Sequence, residues 1–193
     1  MIVSNLNITN NQIQMTKTYK IIFTGPVGAG KTTAISSISD VETVQTEEVA
    51  TDMTKETKEN TTVALDYGAI ILKDQTKIHL YGTPGQKRFN FMWDILTTGG
   101  IGLLLLIDGS DIKALDHFKF FLQSFKDFIA ETSVVIGITK QDENKRYELK
   151  DYQSVLKRNT PVFPIYEIDA RSRKDVALMV ETLLYTLDPK LTN

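Results

Sequence analysis

The 193-residue chain contains no cysteine, which excludes disulfides, thiol catalysis and cysteine–metal sites together and agrees with a reducing compartment. It has no apolar run long enough to cross a bilayer, and Met1-Ile2-Val3-Ser4-Asn5-Leu6-Asn7 lacks the basic flank and apolar stretch of a secretory signal. A cytoplasmic protein is expected. Position 2 is not glycine, and without cysteine neither prenylation nor palmitoylation is open, so no direct membrane anchor is expected and any attachment goes through a partner. Neither sign of charge dominates: 22 basic against 24 acidic side chains give a net −2, so the overall balance offers no reason to invoke nucleic acid. No solenoid period and no low-complexity linker is present. What remains is a globular composition, 41% apolar and 24% charged, at a length that suits one core.

One stretch organises the chain. Gly25-Pro26-Val27-Gly28-Ala29-Gly30-Lys31-Thr32 follows the apolar run Tyr19–Thr24 and precedes a helix-like segment that begins near Thr33 and runs to about Ser39. Three glycines let the backbone curl at positive φ so that several N–H groups converge, and the helix N-terminus adds its positive dipole end. The stretch reads as a phosphate-binding loop in which residues 25, 27–31 and the adjoining Thr32 and Thr33 contact nucleotide. Lys31 is placed to reach the outer phosphates and the Thr32 hydroxyl to coordinate magnesium.

Around this unit the pattern is that of an open α/β sheet, with the ligand at the carboxyl end of the first core strand. Residues 1–17 are polar with scattered apolar positions and read as a flexible arm. A single domain is expected over 18–188, with a short tail at 189–193. Residues 45–62 form a polar connection with few apolar anchors, which suits a segment that a ligand orders. Residues 62–72 and 76–81 flank the turn-like Lys73-Asp74-Gln75 and predict an antiparallel hairpin. Residues 102–107 are a continuous apolar run, as in parallel strands covered on both faces, and 133–138 read as another buried strand. Residues 162–168, with Pro161 and Pro164, predict an edge strand. Phe118, Phe121, Leu122, Phe125, Phe128 and Ile129 recur at helical spacing, as do Val176, Ala177, Val180, Leu183, Leu184 and Leu187, and Pro189 stops the last helix. His79 reads as a half-exposed strand residue, with no acidic or histidine cluster beside it that would suggest a metal site.

Further pieces narrow the ligand. Asp142 closes Thr139-Lys140-Gln141-Asp142 directly after a buried strand, where its carboxylate can accept hydrogen bonds from N1–H and the 2-amino group of guanine; adenine offers no such donor pair. The aliphatic stem of Lys140 can lie over the base. In Asp169-Ala170-Arg171 a short loop can supply a backbone N–H to the guanine oxygen. Thr62 ends the polar connection, and Gly85-Gln86 follows the third strand.

The order and spacing of these pieces resemble the Ras-like small GTPases over residues 18–188. Gly25–Thr32 matches the first motif. Thr62-Val63-Ala64-Leu65-Asp66 resembles the switch I threonine and the strand after it, and Thr83-Pro84-Gly85-Gln86 resembles switch II. Thr139–Asp142 resembles the guanine motif, and Asp169-Ala170-Arg171 the last motif. The wording of residues 80–93 is most similar to the bacterial gliding-motility polarity and conservon GTPases.

The resemblance implies a three-layer P-loop α/β fold, a mostly parallel sheet with one antiparallel hairpin strand. It also implies a switch that binds GTP and GDP and hydrolyses GTP slowly. Lys31, together with magnesium on Thr32 and Thr62, would hold the phosphates while Gln86 orients the attacking water. Partners implied are an effector that reads the switch loops and a regulatory protein, such as the roadblock-type proteins these relatives work with.

Three positions depart from the family. Gly82 stands where an aspartate usually helps hold magnesium, Thr139 where an asparagine straps the loops together, and Asp169 where serine or cysteine is usual. Two other classes remain open at this point. One is a nucleotide-binding interaction module with negligible turnover. The other is a P-loop kinase, for which the five arginines show no lid-like cluster.

Overall fold

The computed structural model describes residues 5–9, 12–50, 61–156 and 162–187, giving backbone placement only for 5–16, 45–50, 61–64 and 87. Positions 51–60 of the polar connection, Pro161, Pro189 and the tail at 189–193 lie outside the described residues. The elements in chain order are β1 (Asn5–Thr9), β2 (Gln12–Thr16), β3 (Thr18–Thr24), α1 (Lys31–Ile38), β4 (Val44–Ala50), β5 (Thr61–Ile71) and β6 (Lys77–Gly82). There follow a 3₁₀ turn (Lys87–Phe89), α2 (Phe91–Thr97), β7 (Gly102–Asp108), α3 (Ala114–Ser124), α4 (Lys126–Glu131) and β8 (Val134–Thr139). The chain ends with α5 (Gln141–Asn144), α6 (Leu149–Val155), β9 (Ile165–Glu167) and α7 (Arg173–Leu187).

Among the described residues, seven strands form one sheet in the order β4-β5-β6-β3-β7-β8-β9. Only β5 runs against its neighbours: it is antiparallel to both β4 and β6, while β6, β3, β7, β8 and β9 pair in parallel. The fold is thus the expected α/β class with a mostly parallel sheet and a single reversed hairpin strand. Two findings modify the sequence reading. Val44–Ala50, in the polar connection, is extended and pairs with Thr61–Tyr67 as the edge strand β4. Asn5–Thr9 and Gln12–Thr16, in the expected arm, pair with each other in a two-stranded sheet of their own.

Continuous apolar runs make β7 and β8 buried along almost their whole length, because helices cover both faces there. On one face Ile21, Phe23, Ile35, Leu80, Leu104, Val180 and Leu183 form a core under α1 and α7. On the other, Ile22, Trp93, Leu105, Phe118, Phe121, Ile136 and Tyr152 form a second core under α2, α3 and α6. The helical periodicity read at 118–129 divides between α3 and α4, which meet at Phe125. β3 lies where the chain order reverses, with β6 on one side and β7 on the other. The loops leaving β3, β6, β7, β8 and β9 therefore gather at one edge of the sheet, where open α/β sheets bind ligands. Among the described residues no helix is long and apolar enough to cross a membrane.

The only tryptophan links this scaffold to the loop after β6. Trp93 is 3% exposed, stacks on Phe125 with ring centroids 5.0 Å apart, lies 5.3 Å from Phe121, and donates its indole N–H to the Pro84 carbonyl at 3.1 Å. Trp93→Ala should cost about 3–5 kcal/mol, read from urea unfolding by circular dichroism. A midpoint unchanged from the parent would remove this anchoring role.

Candidate functional site

The phosphate loop has the predicted backbone. Gly25, Gly28 and Gly30 lie at φ of +140°, +81° and +89°. Gly25 also has no room for a side chain, since a Cβ there would run into the Leu106 carbonyl of β7. Among the described residues, the N–H groups of Gly28, Gly30, Lys31 and Thr32 have no acceptor, as expected of a loop that opens a helix and is shaped around an anion. Lys31 is 8% exposed, and its Nζ donates to the Gly25 and Pro26 carbonyls at 2.9 and 2.8 Å. Two of its three N–H groups thus brace the loop, and one is left for a ligand. Burial draws its ammonium down to about 8, with the Asp66 carboxylate partly offsetting. Val27 and Thr33 are exposed, and Ala29 is buried.

Beside the loop, the Thr32 hydroxyl donates to Asp66 Oδ2 at 2.7 Å. Asp66, the last residue of the Thr62–Asp66 stretch, carries no role in the expected pattern. It is 8% exposed, stands on β5, and is the register partner of Gly82 on β6. A Cβ on Gly82 would lie 2.9 Å from both Cβ and Oδ2 of Asp66. Asp66 thus sets a carboxylate, from the adjacent strand, in the space that glycine leaves open. Among the described residues no three acidic or histidine side chains cluster, so a cation here would have the Thr32 hydroxyl, the Asp66 carboxylate and oxygens of the ligand itself. That donor set fits magnesium, which takes one or two carboxylates together with phosphate oxygens.

Thr62 is placed differently from the sequence reading. It lies in β5 opposite Val49, four residues from Asp66, which at strand rise is about 13 Å along the chain. In this conformation Thr62 is not the residue beside Thr32.

The loop after β6 closes onto the phosphate loop. Thr83 N–H donates to the Phe23 carbonyl at 2.8 Å, and the buried hydroxyls of Thr24 and Thr83 are 2.8 Å apart. Gly85 follows, so near that a Cβ would lie 2.5 Å from Val27 N and 2.9 Å from Lys31 Nζ. Gln86 is exposed, and its side chain has no hydrogen-bond partner among the described residues.

At the far end the base-reading pieces converge. Thr139, 1% exposed, donates its hydroxyl within reach of the Ala29 and Ile107 carbonyls, at 3.1 and 3.2 Å. The strap that the loss of asparagine put in doubt is present, made by a hydroxyl. Lys140 takes a left-handed backbone (φ +55°) that L residues seldom adopt, and its Nζ is held by Asp108 Oδ2 at 2.8 Å. Burial alone would raise the Asp108 carboxyl, but hydrogen bonds from Lys140 and Ser110 outweigh it and hold it below the ordinary range. Asp142 is exposed in the first turn of α5. Ala170 Cβ is 3.0 Å from where a Gly30 Cβ would be, so the last motif touches the phosphate loop. Asp169 N–H donates to Asp175 and Arg171 N–H to Asp169, which leaves the Ala170 N–H between them without an acceptor among the described residues.

Comparison with known proteins supports a nucleotide-binding reading of this site. A family model described as "Conserved hypothetical ATP binding protein" matches residues 36–187, beginning within α1 just past the phosphate loop. An uncharacterized protein of Methanocaldococcus jannaschii is 35% identical over 91 residues, 47% of this chain and 51% of that protein, so the match spans about half the length of that relative. ADP-ribosylation factor-like protein 3 of Saccharomyces cerevisiae is 24% identical over 167 residues, 81% of each chain.

The exchange between Gly82 and Asp66 is open to a direct check. Gly82→Asp places a side chain and a second negative charge against Asp66 and should destabilise the fold by about 1–3 kcal/mol in urea melts. Adding Asp66→Ala should return most of that loss. A double variant no more stable than Gly82→Asp would mean that the two positions do not share one space.

Proposed function

Since the chain belongs to the family described as conserved hypothetical ATP binding protein, we propose that it is a P-loop nucleotide switch that binds GTP and GDP, hydrolyses GTP slowly, and signals through residues 45–62 and 82–98. The observation that carries the reading is the meeting of three distant pieces of chain: Ala170 against Gly30, and Thr139 hydrogen-bonded to Ala29. That contact puts the exposed carboxylate of Asp142 and the unengaged N–H of Ala170 on the same side of the sheet as the phosphate loop. An acceptor and a donor so placed suit the N1–H and oxygen of guanine; adenine presents the opposite polarity at both points.

The residues divide the work simply. The unpaired loop N–H groups and the third N–H of Lys31 bind and neutralise phosphate oxygens, in a site where Lys31 is already shielded from water. Magnesium, when bound through Thr32 and Asp66, would add further neutralisation of phosphate charge. Gln86 orients the attacking water once the loop turns its side chain inward. Thr62 joins the site only if the outer part of β5 rearranges, which suits a segment that differs between nucleotide states. Slow turnover is expected because, among the described residues, no arginine is positioned at the phosphates. A regulatory partner supplies that charge or reorders the loop, and by the resemblance to the bacterial gliding-motility and conservon GTPases it is of the roadblock type. The exposed Phe91 and Ile95 on α2, beside the Gln86 loop, give such a partner an apolar surface.

The family description names ATP, which makes an adenine nucleotide the second reading. Titrations of GDP and ADP side by side, with and without magnesium, decide between them. GDP should bind at least about tenfold more tightly, roughly the value of one charge-assisted hydrogen bond, and removing magnesium should weaken it. Equal affinities for the two bases would overturn the guanine reading. Single-turnover hydrolysis by Gln86→Ala should be about tenfold or more slower than by the parent; matching rates would leave a nucleotide-binding module without this catalytic step.

A further inference from the structure

The acid at position 169 poses an electrostatic problem next to the residue that reads the base. A carboxylate there cannot donate a hydrogen bond to Asp142, and two like charges at short range repel. Arg171 lies between them. Its Nε donates to Asp169 Oδ1 at 2.8 Å and its Nη2 to Asp169 Oδ2 at 2.9 Å, a two-pronged pair that fixes the plane of the guanidinium. The same Nη2 reaches Asp142 Oδ2 at 3.1 Å. Arg171 N–H also donates to Asp169 Oδ1 at 2.8 Å, so the side chain and backbone of one residue are held by one carboxylate. Asp169 is in turn fixed from its own backbone, whose N–H is held by Asp175.

We infer that Arg171 is a positioning residue for base recognition: anchored by Asp169, it fixes the Asp142 carboxylate in the orientation that meets both donors of guanine. The inference rests on the guanine reading above. An isolated surface ion pair would contribute little, because two long side chains must be immobilised to form it. Here the arginine is immobilised by the Asp169 fork whether or not a base is present, so its contact with Asp142 costs little further order. The carboxylate of Asp142 keeps Oδ1 and the remaining lone pair of Oδ2 for the ligand. A serine at this place could donate its hydroxyl to the neighbouring carboxylate directly. This chain has an acid instead and reaches the same carboxylate through a cation.

The test compares GDP with inosine diphosphate, which keeps N1–H and the ring oxygen and lacks the 2-amino group. The parent should prefer GDP by about tenfold or more, and Arg171→Ala should lower that preference about fivefold, because a loose carboxylate meets one donor as easily as it meets two in register. Asp169→Ser combined with Arg171→Ala should recover most of the preference, since the new hydroxyl can donate to Asp142. An unchanged preference in Arg171→Ala, or an equal loss for both nucleotides, overturns the positioning role while leaving the guanine reading intact. A parent that binds ADP as well as GDP overturns both. Thermal melts of each variant show whether the fold is preserved, as expected for a side chain 68% exposed.

Discussion

The hydrogen bond from Thr32 to Asp66 ties the helix that opens at the phosphate loop to the one strand that runs against the rest of the sheet. Its donor is held by the start of α1 and its acceptor by the register of β5 on β6, so the contact depends on helix, hairpin and loop being formed together. It also depends on an absence. Any side chain at Gly82 would occupy the place of the Asp66 carboxylate, which makes the glycine and the acid two halves of one arrangement. A buried carboxylate without partners would be costly. Here it has the Thr32 hydroxyl and the electrostatic attraction of Lys31, and the buried lysine benefits in return.

Much of this was legible in the sequence, for reasons that can be named. Gly25, Gly28 and Gly30 announce positive φ because few other residues adopt it, and the apolar runs at 102–107 and 133–138 announce strands covered on both sides because nothing else accommodates them. Asp66 was missed, although the information was there. A hairpin centred on Asp74 pairs position 82 with position 66, so the register alone sets a lone acid opposite the missing one. Motif reading compares each position with its own counterpart, and a group that has moved to the neighbouring strand escapes it. Val44–Ala50 was missed for another reason: Gln-Thr-Glu-Glu has no apolar alternation, because an edge strand satisfies its backbone through β5 without needing a buried face of its own.

The three departures from the small-GTPase pattern follow one rule. At Gly82 a carboxylate comes from the adjacent strand. At Thr139, where the resembling pattern has asparagine, a hydroxyl reaches the Ala29 carbonyl. At Asp169 a guanidinium carries the interaction to Asp142. In each case the residue type changes while the point in space that receives a donor or acceptor stays filled. Backbone geometry is what permits this. Sheet register and loop closure fix where a polar group is needed to within a few ångströms, and several side chains from neighbouring positions can meet that need.

The position of Asp66 along β5 then determines how the site connects to the rest of the chain. From Asp66 to Ile71 the strand is paired with β6, and its far half is tied to the end of α1 by Ser39, which accepts from Ala69 N–H, and by Asp40, which accepts from Ile71 N–H. Arg173 of α7 in turn holds Asp40 at 2.6 Å. Among the described residues, Thr61 to Leu65 pair with β4, the end strand of the sheet order. Asp66 and Tyr67, paired with both β4 and β6, therefore stand between the stretch tied to β6 and the end of α1 and the stretch paired with β4. Thr62 lies in the stretch paired with β4, about 13 Å of strand from Asp66.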